Sequence, residues 1–126
     1  MHGFEPVTLT WQEQSWTVPA NKQMGLIARI EDALSGDSGE QAVTILWRKE
    51  GPPHSRMAAA FGAALRYAGA SVTDEEIYLS IHRDIATGSA TQTAAKVNMM
   101  ILALLSIISP PMAQKISEKE AAPKNP

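Results

Sequence analysis

Hydrophobic and polar positions alternate from Val7 to Val18. Val7, Leu9 and Trp11 fall on one side, with Thr8 and Thr10 on the other. After Gln12-Glu13-Gln14, Trp16 and Val18 resume the alternation, with Ser15 and Thr17 around them. A period of two carried by β-branched and aromatic residues predicts two short strands in a hairpin over about 7–18. The turn holds no glycine, which argues against the tight Asn-Gly kind. Pro19 ends the second strand.

Past Pro19 the period lengthens. Asn21 is a candidate N-cap for "KQMGLIARIEDALSG", in which Met24, Ile27, Ile30 and Leu34 recur at three- and four-residue steps with Leu26 beside them. That is one apolar helix face, and Gly36 stands at the expected C′ position. "AVTILW" suits a strand by residue type and a helix by the spacing of Val43, Leu46 and Trp47. A short helix capped by Ser38 is the favoured expectation. Gly51-Pro52-Pro53 is a break. Ser55 can cap a third helix, with Met57, Phe61, Ala64, Leu65 and Ala68 as its buried face. Six alanines and Gly62 give that helix a thin profile that another helix can approach closely. Gly69 stops it.

Thr73 and Glu76 spell a capping box, with Asp74 and Glu75 adding negative charge at the positive end of the helix dipole. Ile77, Ile81 and Ile85 then mark one stripe, and Gly88 ends it. Ser89 or Thr91 starts the last helix, which runs to Ile108 before Pro110-Pro111. Beyond Met112 the chain is polar and charged, with Ile116 its only large apolar residue. Such a segment does not bury enough to offset its ordering entropy. The pattern thus predicts an α+β fold: an N-terminal β-hairpin, a bundle of four to five helices over about 22–108, and a disordered C-terminal tail. The expected division is a single globular domain over 1–111 and a tail over 112–126.

One stretch departs from this ordinary patterning. "NMMILALLSIISPP", Asn98 to Pro111, carries no charge and only two hydroxyl side chains before its prolines, Ser106 and Ser109. Lys96 and Asn98 on one side and the prolines on the other leave about a dozen apolar residues, short of the ~20 of a spanning helix. A buried helix is the better reading, and no membrane partner is expected. Two readings remain for its all-round apolarity. The helix is either central and surrounded by the others, or it keeps a surplus face for another molecule.

Composition narrows the function classes. The chain has 126 residues, enough for one domain, and a net charge of −2 with no cysteine. Disulfides, thiolate metal sites and cysteine nucleophiles are therefore excluded. There is no basic surplus of the kind nucleic-acid binders show. "MHGFEPVTLTW" lacks the basic start and apolar core of a signal peptide, so secretion is not expected. "GDSG" at Gly36–Gly39 matches the string around a serine-protease nucleophile but has no His/Asp context for it. A helix C-cap, a turn and an N-cap explain it. His82-Arg83-Asp84 resembles a kinase string without its companion motifs. His2, His54 and His82 are scattered, with no spacing that suggests a metal site. No catalytic, cofactor or metal residue is expected, and the chain reads as a non-enzymatic binding protein. Trp11 and Trp16 stand near each other across the expected hairpin, either as a cross-strand pair or as a partner-binding patch.

Taken in order, "VTLTW…SWTVP", "LIARIEDALSG" and "AAAFGAALRYAGASVTDEEIYLSI" before an apolar helix resemble the tail assembly chaperones of long-tailed bacteriophages. The likeness is to the branch shared with gene-transfer-agent tail clusters and covers Val7 to Pro111. Its most telling pieces are "ARIEDAL" after a hairpin and "ALRYAGASVTDEE". The resemblance implies a chaperone that coats the long, helical tape measure protein, keeps it soluble and helps recruit tail tube subunits. It also implies residence in the host cytoplasm and absence from the mature virion. A structural tail or head–tail connector subunit is the alternative. Self-association would suit a coating protein.

The expected partner-binding residues are Trp11, Trp16, Trp47, Met99, Met100 and Leu102. The methionines count because their flexible, polarizable side chains suit surfaces that accept many sequences.

Overall fold

The computed structural model describes residues 4–48, 51–88 and 90–121, with side chains through residue 115. The alternation at the start of the chain forms a two-stranded antiparallel hairpin, β1 (Val7–Trp11) and β2 (Gln14–Val18). The register pairs Val7 with Val18, Leu9 with Trp16 and Trp11 with Gln14. Leu9 and Val18 are buried, and Val7, Trp11 and Trp16 pack partly against the same core. On the outer face the Thr8 and Thr17 hydroxyls bond each other at 3.1 Å, and Thr10 meets Ser15 at 3.0 Å. The period of two has therefore sorted each side chain to its face.

The turn corrects the expectation. Only Gln12 and Glu13 lie between the strands, and both have positive φ, 49° and 68°. This is the left-handed conformation at both central positions that a two-residue hairpin needs to match strand twist. The absence of glycine did not prevent the tight turn; it makes the turn costlier.

Helix α1 covers Gln23–Ser35 after a 3-10 turn, Ala20–Lys22. Asn21 lies inside that turn and is not the N-cap. Met24 points to solvent, and Gln23 takes its place on the buried face with Leu26, Ile27, Ile30 and Leu34. Gln23 is buried because its amide has work there: Nε2 donates to the carbonyl oxygens of Val18 at 3.1 Å and Pro19 at 3.4 Å. A buried amide with two acceptors is tolerable, and it pins the end of β2 to α1. Gly36 ends the helix with φ 51° and donates its N–H to the Asp32 carbonyl.

The ambiguous stretch is helical: α2 covers Ala42–Trp47 and buries Ala42, Ile45 and Leu46. Its N-cap is Gln41, and Ser38 instead closes the preceding turn. Helix α3 (His54–Ala68) starts after Pro53, so Ser55 is not its cap. It buries Met57, Ala58, Ala60, Phe61, Gly62, Ala64 and Leu65, and it touches α1, both strands and the two helices that follow. Its small residues permit those close approaches, as expected. Gly69, φ 116°, turns the chain out of the helix.

Helix α4 (Asp74–Ala86) begins at the capping box. The Glu76 N–H donates to Thr73 Oγ1 at 3.1 Å, and the Thr73 hydroxyl reaches Glu76 Oε1 at 3.3 Å. Ile77 and Ile81 are wholly buried, whereas Ile85, third in the stripe, is exposed.

Helix α5 covers Ala90–Ile108, 19 residues. Ser89, one of the two residues proposed to start it, lies outside the described residues. The chain does not stop at Pro110-Pro111. Helix α6 covers Pro110–Ala121, and the Met112 and Ala113 N–H groups both donate to the Ser109 carbonyl. Prolines fit a first helical turn, where their missing N–H groups would have no partner. The two prolines therefore open a helix rather than end the fold, and Met112 and Ala113 pack partly against the core. Part of the stretch assigned to a tail is thus helical; residues 122–126 lie outside the described residues.

Candidate functional site

Burial is uneven along the apolar helix. Every buried residue of α5, namely Met100, Leu104, Leu105 and Ile107, lies at or beyond position 100. Its N-terminal half is held by Val97, partly buried against the core, and by polar contacts. Lys96 Nζ sits 2.9 Å from both Asp84 Oδ2 and Ser80 Oγ of α4. The face of this half opposite Thr93, Lys96 and Val97 is left uncovered, and Met99 is 71 % exposed.

Along this half runs a groove of about 730 Å³, walled by β1 on one side and α5 on the other. Consecutive residues from Thr8 to Gln12 line it, so it follows the edge of the strand rather than one of its faces. Phe61 of α3 forms part of the floor, and Ala95, Met99, Met100 and Ala103 form the apolar side of α5. Trp11 packs edge-on against Phe61, with ring centroids 6.0 Å apart and planes at 62°. Its indole Nε1 is buried with no acceptor among the described residues. Lys96 and Asp84 stand together at the rim, so the groove carries a neutralised ion pair and no net charge of its own from them.

The expected partner-binding residues divide accordingly. Trp11 and Met99 meet in the groove, the first half-buried and the second open. Met100 borders the groove but is only 4 % exposed, so it belongs to the core and not to an open surface. Adjacent helical residues point about 100° apart, which is why Met99 and Met100 part company. Leu102 is half-buried on another side of α5, outside the groove lining. Trp16 is half-buried against the core, on the same face as Trp11 and diagonal to it, but the ring that Trp11 meets is Phe61. Trp47 is 56 % exposed at the end of α2, also outside the groove lining.

Among the described residues the other exposed large apolar side chains are Phe4, Met24, Tyr78, Leu79 and Ile85, which periodicity assigned to interior stripes or did not single out. Leu79 and Tyr78 border a separate shallow depression with Ala58 and Glu75.

The strings that resemble catalytic motifs make contacts within the fold. Ser38 Oγ donates to the Ser35 carbonyl at 2.6 Å and accepts the Glu40 N–H at 3.2 Å, which closes the turn after α1. Asp84 pairs with Lys96. Among the described residues, no group of three or more His, Asp or Glu side chains is placed to hold a metal ion.

By length and composition α5 could cross a membrane, its mean hydropathy being 1.4. Inserting it would uncover Leu26, Met57 and the rest of the cluster that Leu104, Leu105 and Ile107 help to close. No family model, curated protein or solved structure matches the chain.

Proposed function

We propose that the protein is a non-enzymatic tail assembly chaperone that binds and solubilises the tape measure protein and helps recruit tail tube subunits. The groove between β1 and α5 is the surface on which it receives its client. The observation that carries this reading is Met99, which stands open on the wall of an apolar groove while its neighbour Met100 is buried. A methionine in that position presents a flexible apolar arm that adapts to many side chains. Trp11 offers a larger, stiffer surface beside it, of the kind that concentrates binding energy. The exposed Trp47 and Met24 extend the apolar surface elsewhere on the molecule.

The test is co-expression with the product of a neighbouring tape measure gene. The client stays soluble with the wild-type chain, precipitates without it, and precipitates with a folded Met99→Glu variant. A client equally soluble with and without the chain refutes the reading. The protein's presence in purified particles points to a tail or head–tail connector subunit instead. Flotation with lipid vesicles is the control for α5, and the chain stays in the unbound fraction.

A further inference from the structure

His54 and His82 are 28 residues apart in sequence, yet the fold brings their rings together. His54 is the first residue of α3, and His82 lies two turns along α4. His54 Nδ1 and His82 Nε2 are 3.4 Å apart, with ring centroids at 5.3 Å and planes at 70°. Tyr78, one turn before His82, stacks on its ring at 4.3 Å and 26° and so fixes the plane of that imidazole. Both histidines are half-buried. His54 borders a shallow cleft lined by Ile85, Gly88, Ala94 and Val97.

We infer that His54 and His82 form a two-imidazole site for a late first-row divalent cation, with Zn²⁺ or Cu²⁺ as its natural ligand class. Two nitrogens on one tetrahedral ion, each about 2.05 Å away, stand about 3.3–3.4 Å apart. The observed 3.4 Å separation meets that spacing before any ion arrives. The rings need only tilt so that both lone pairs converge on a point beside the line joining them.

The chemistry needs no net loss of a proton from neutral rings. In the neutral pair the hydrogen between the facing nitrogens belongs to one of the two rings. That ring releases it to water and takes one up on its outer nitrogen, so that His54 carries its proton on Nε2, His82 carries its proton on Nδ1, and both facing nitrogens offer lone pairs to the ion. Imidazole nitrogen suits zinc, copper and nickel, and the affinity order places copper above zinc. Water completes the coordination from the cleft beside His54. A bound ion would clamp the start of α3 to the middle of α4.

The site is independent of the client-binding reading: neither histidine lines the groove between β1 and α5.

The test is isothermal titration of the full chain with ZnCl₂ and with CuCl₂, next to thermal unfolding with and without each ion. The expected result is one equivalent bound with micromolar affinity, tighter for copper. With the ion at a 100-fold excess over Kd, Tm rises by about 5 °C or more. His54→Ala and His82→Ala each lower the affinity at least tenfold, and His2→Ala leaves it unchanged. If either variant unfolds, imidazole nitrogen resonances of the wild-type chain replace it: those of His54 and His82 shift on adding Zn²⁺, Nδ1 and Nε2 respectively to the metal-bound range, and those of His2 do not. Absence of binding overturns the inference. So does binding that survives in the folded double variant or that is lost in His2→Ala.

Discussion

Met99 and Met100 offer a comparison in which residue type, helix and sequence neighbourhood are shared and only direction differs. Met100 is 4 % exposed and Met99 is 71 % exposed. Truncating a buried methionine to alanine costs about 2–5 kcal/mol, transfer and cavity together. Full burial of such a side chain is worth about 1.5–3 kcal/mol. With under a third of Met99 covered, its truncation costs less than about 1 kcal/mol on that scale. Urea unfolding measures the gap. For a slope of about 1–3 kcal/mol per molar, Met100→Ala lowers the midpoint by roughly 1 M or more, and Met99→Ala barely moves it at the same slope. The client-solubility assay then reverses the order of importance at Met99, since Met99→Glu keeps the fold and loses the client. If Met99→Ala destabilises as much as Met100→Ala, the outward direction of this half of α5 is wrong, and the groove with it.

Three further outcomes follow from the local geometry. Replacing Gln12-Glu13 by Asn-Gly relieves two left-handed side-chain residues and stabilises the protein by about 1 kcal/mol; an unchanged or lower Tm refutes the turn assignment. Thr73→Ala removes the acceptor for the Glu76 N–H and costs about 1 kcal/mol in chemical denaturation, whereas Thr73→Ser retains most of it. Gly25→Ala drives a methyl into the Tyr67 hydroxyl, which donates to the Lys22 carbonyl at 3.0 Å. Its cost of about 1–3 kcal/mol shrinks in a Tyr67→Phe background, and an equal cost in both backgrounds shows that the two residues do not meet.

What the sequence made legible was whatever depends on near neighbours. Thr73 and Glu76 are three residues apart, and their mutual bonding needs only the start of a helix. The strand alternation and the positions of Gly36 and Gly69 are likewise local. The errors arise where a distant partner decides. Gln23 displaced Met24 from the buried face because the Val18 and Pro19 carbonyls needed a donor, and nothing in the spacing of α1 contains that fact. Ile85 fits its stripe in α4 but stands beyond the cover that α3 provides. Pro110-Pro111 stops α5 and opens α6 with the same residues, since a proline that breaks one helix is suited to begin another. His54 and His82 carry no joint signal at all, because their meeting depends on how α3 packs against α4.

The same distinction explains why the candidate client surface was only half visible. Periodicity shows that α5 is apolar on nearly every side from Met99 on, but not which sides the fold will cover. Coverage follows from where the neighbours end. The hairpin reaches Trp11 and turns at Gln12-Glu13, while α4 holds the near half of α5 at Lys96 through a polar contact. The remaining gap between strand and helix is therefore walled in part by side chains suited to an interior, Trp11 and Met99 among them, beside polar ones such as Thr8, Thr10 and Gln92. If stability alone governed this surface, a polar residue at position 99 would serve as well, because methionine there contributes little to the fold. The Met99→Glu variant separates the two roles: unchanged stability with loss of the client assigns the side chain to binding, and loss of stability assigns it to the fold.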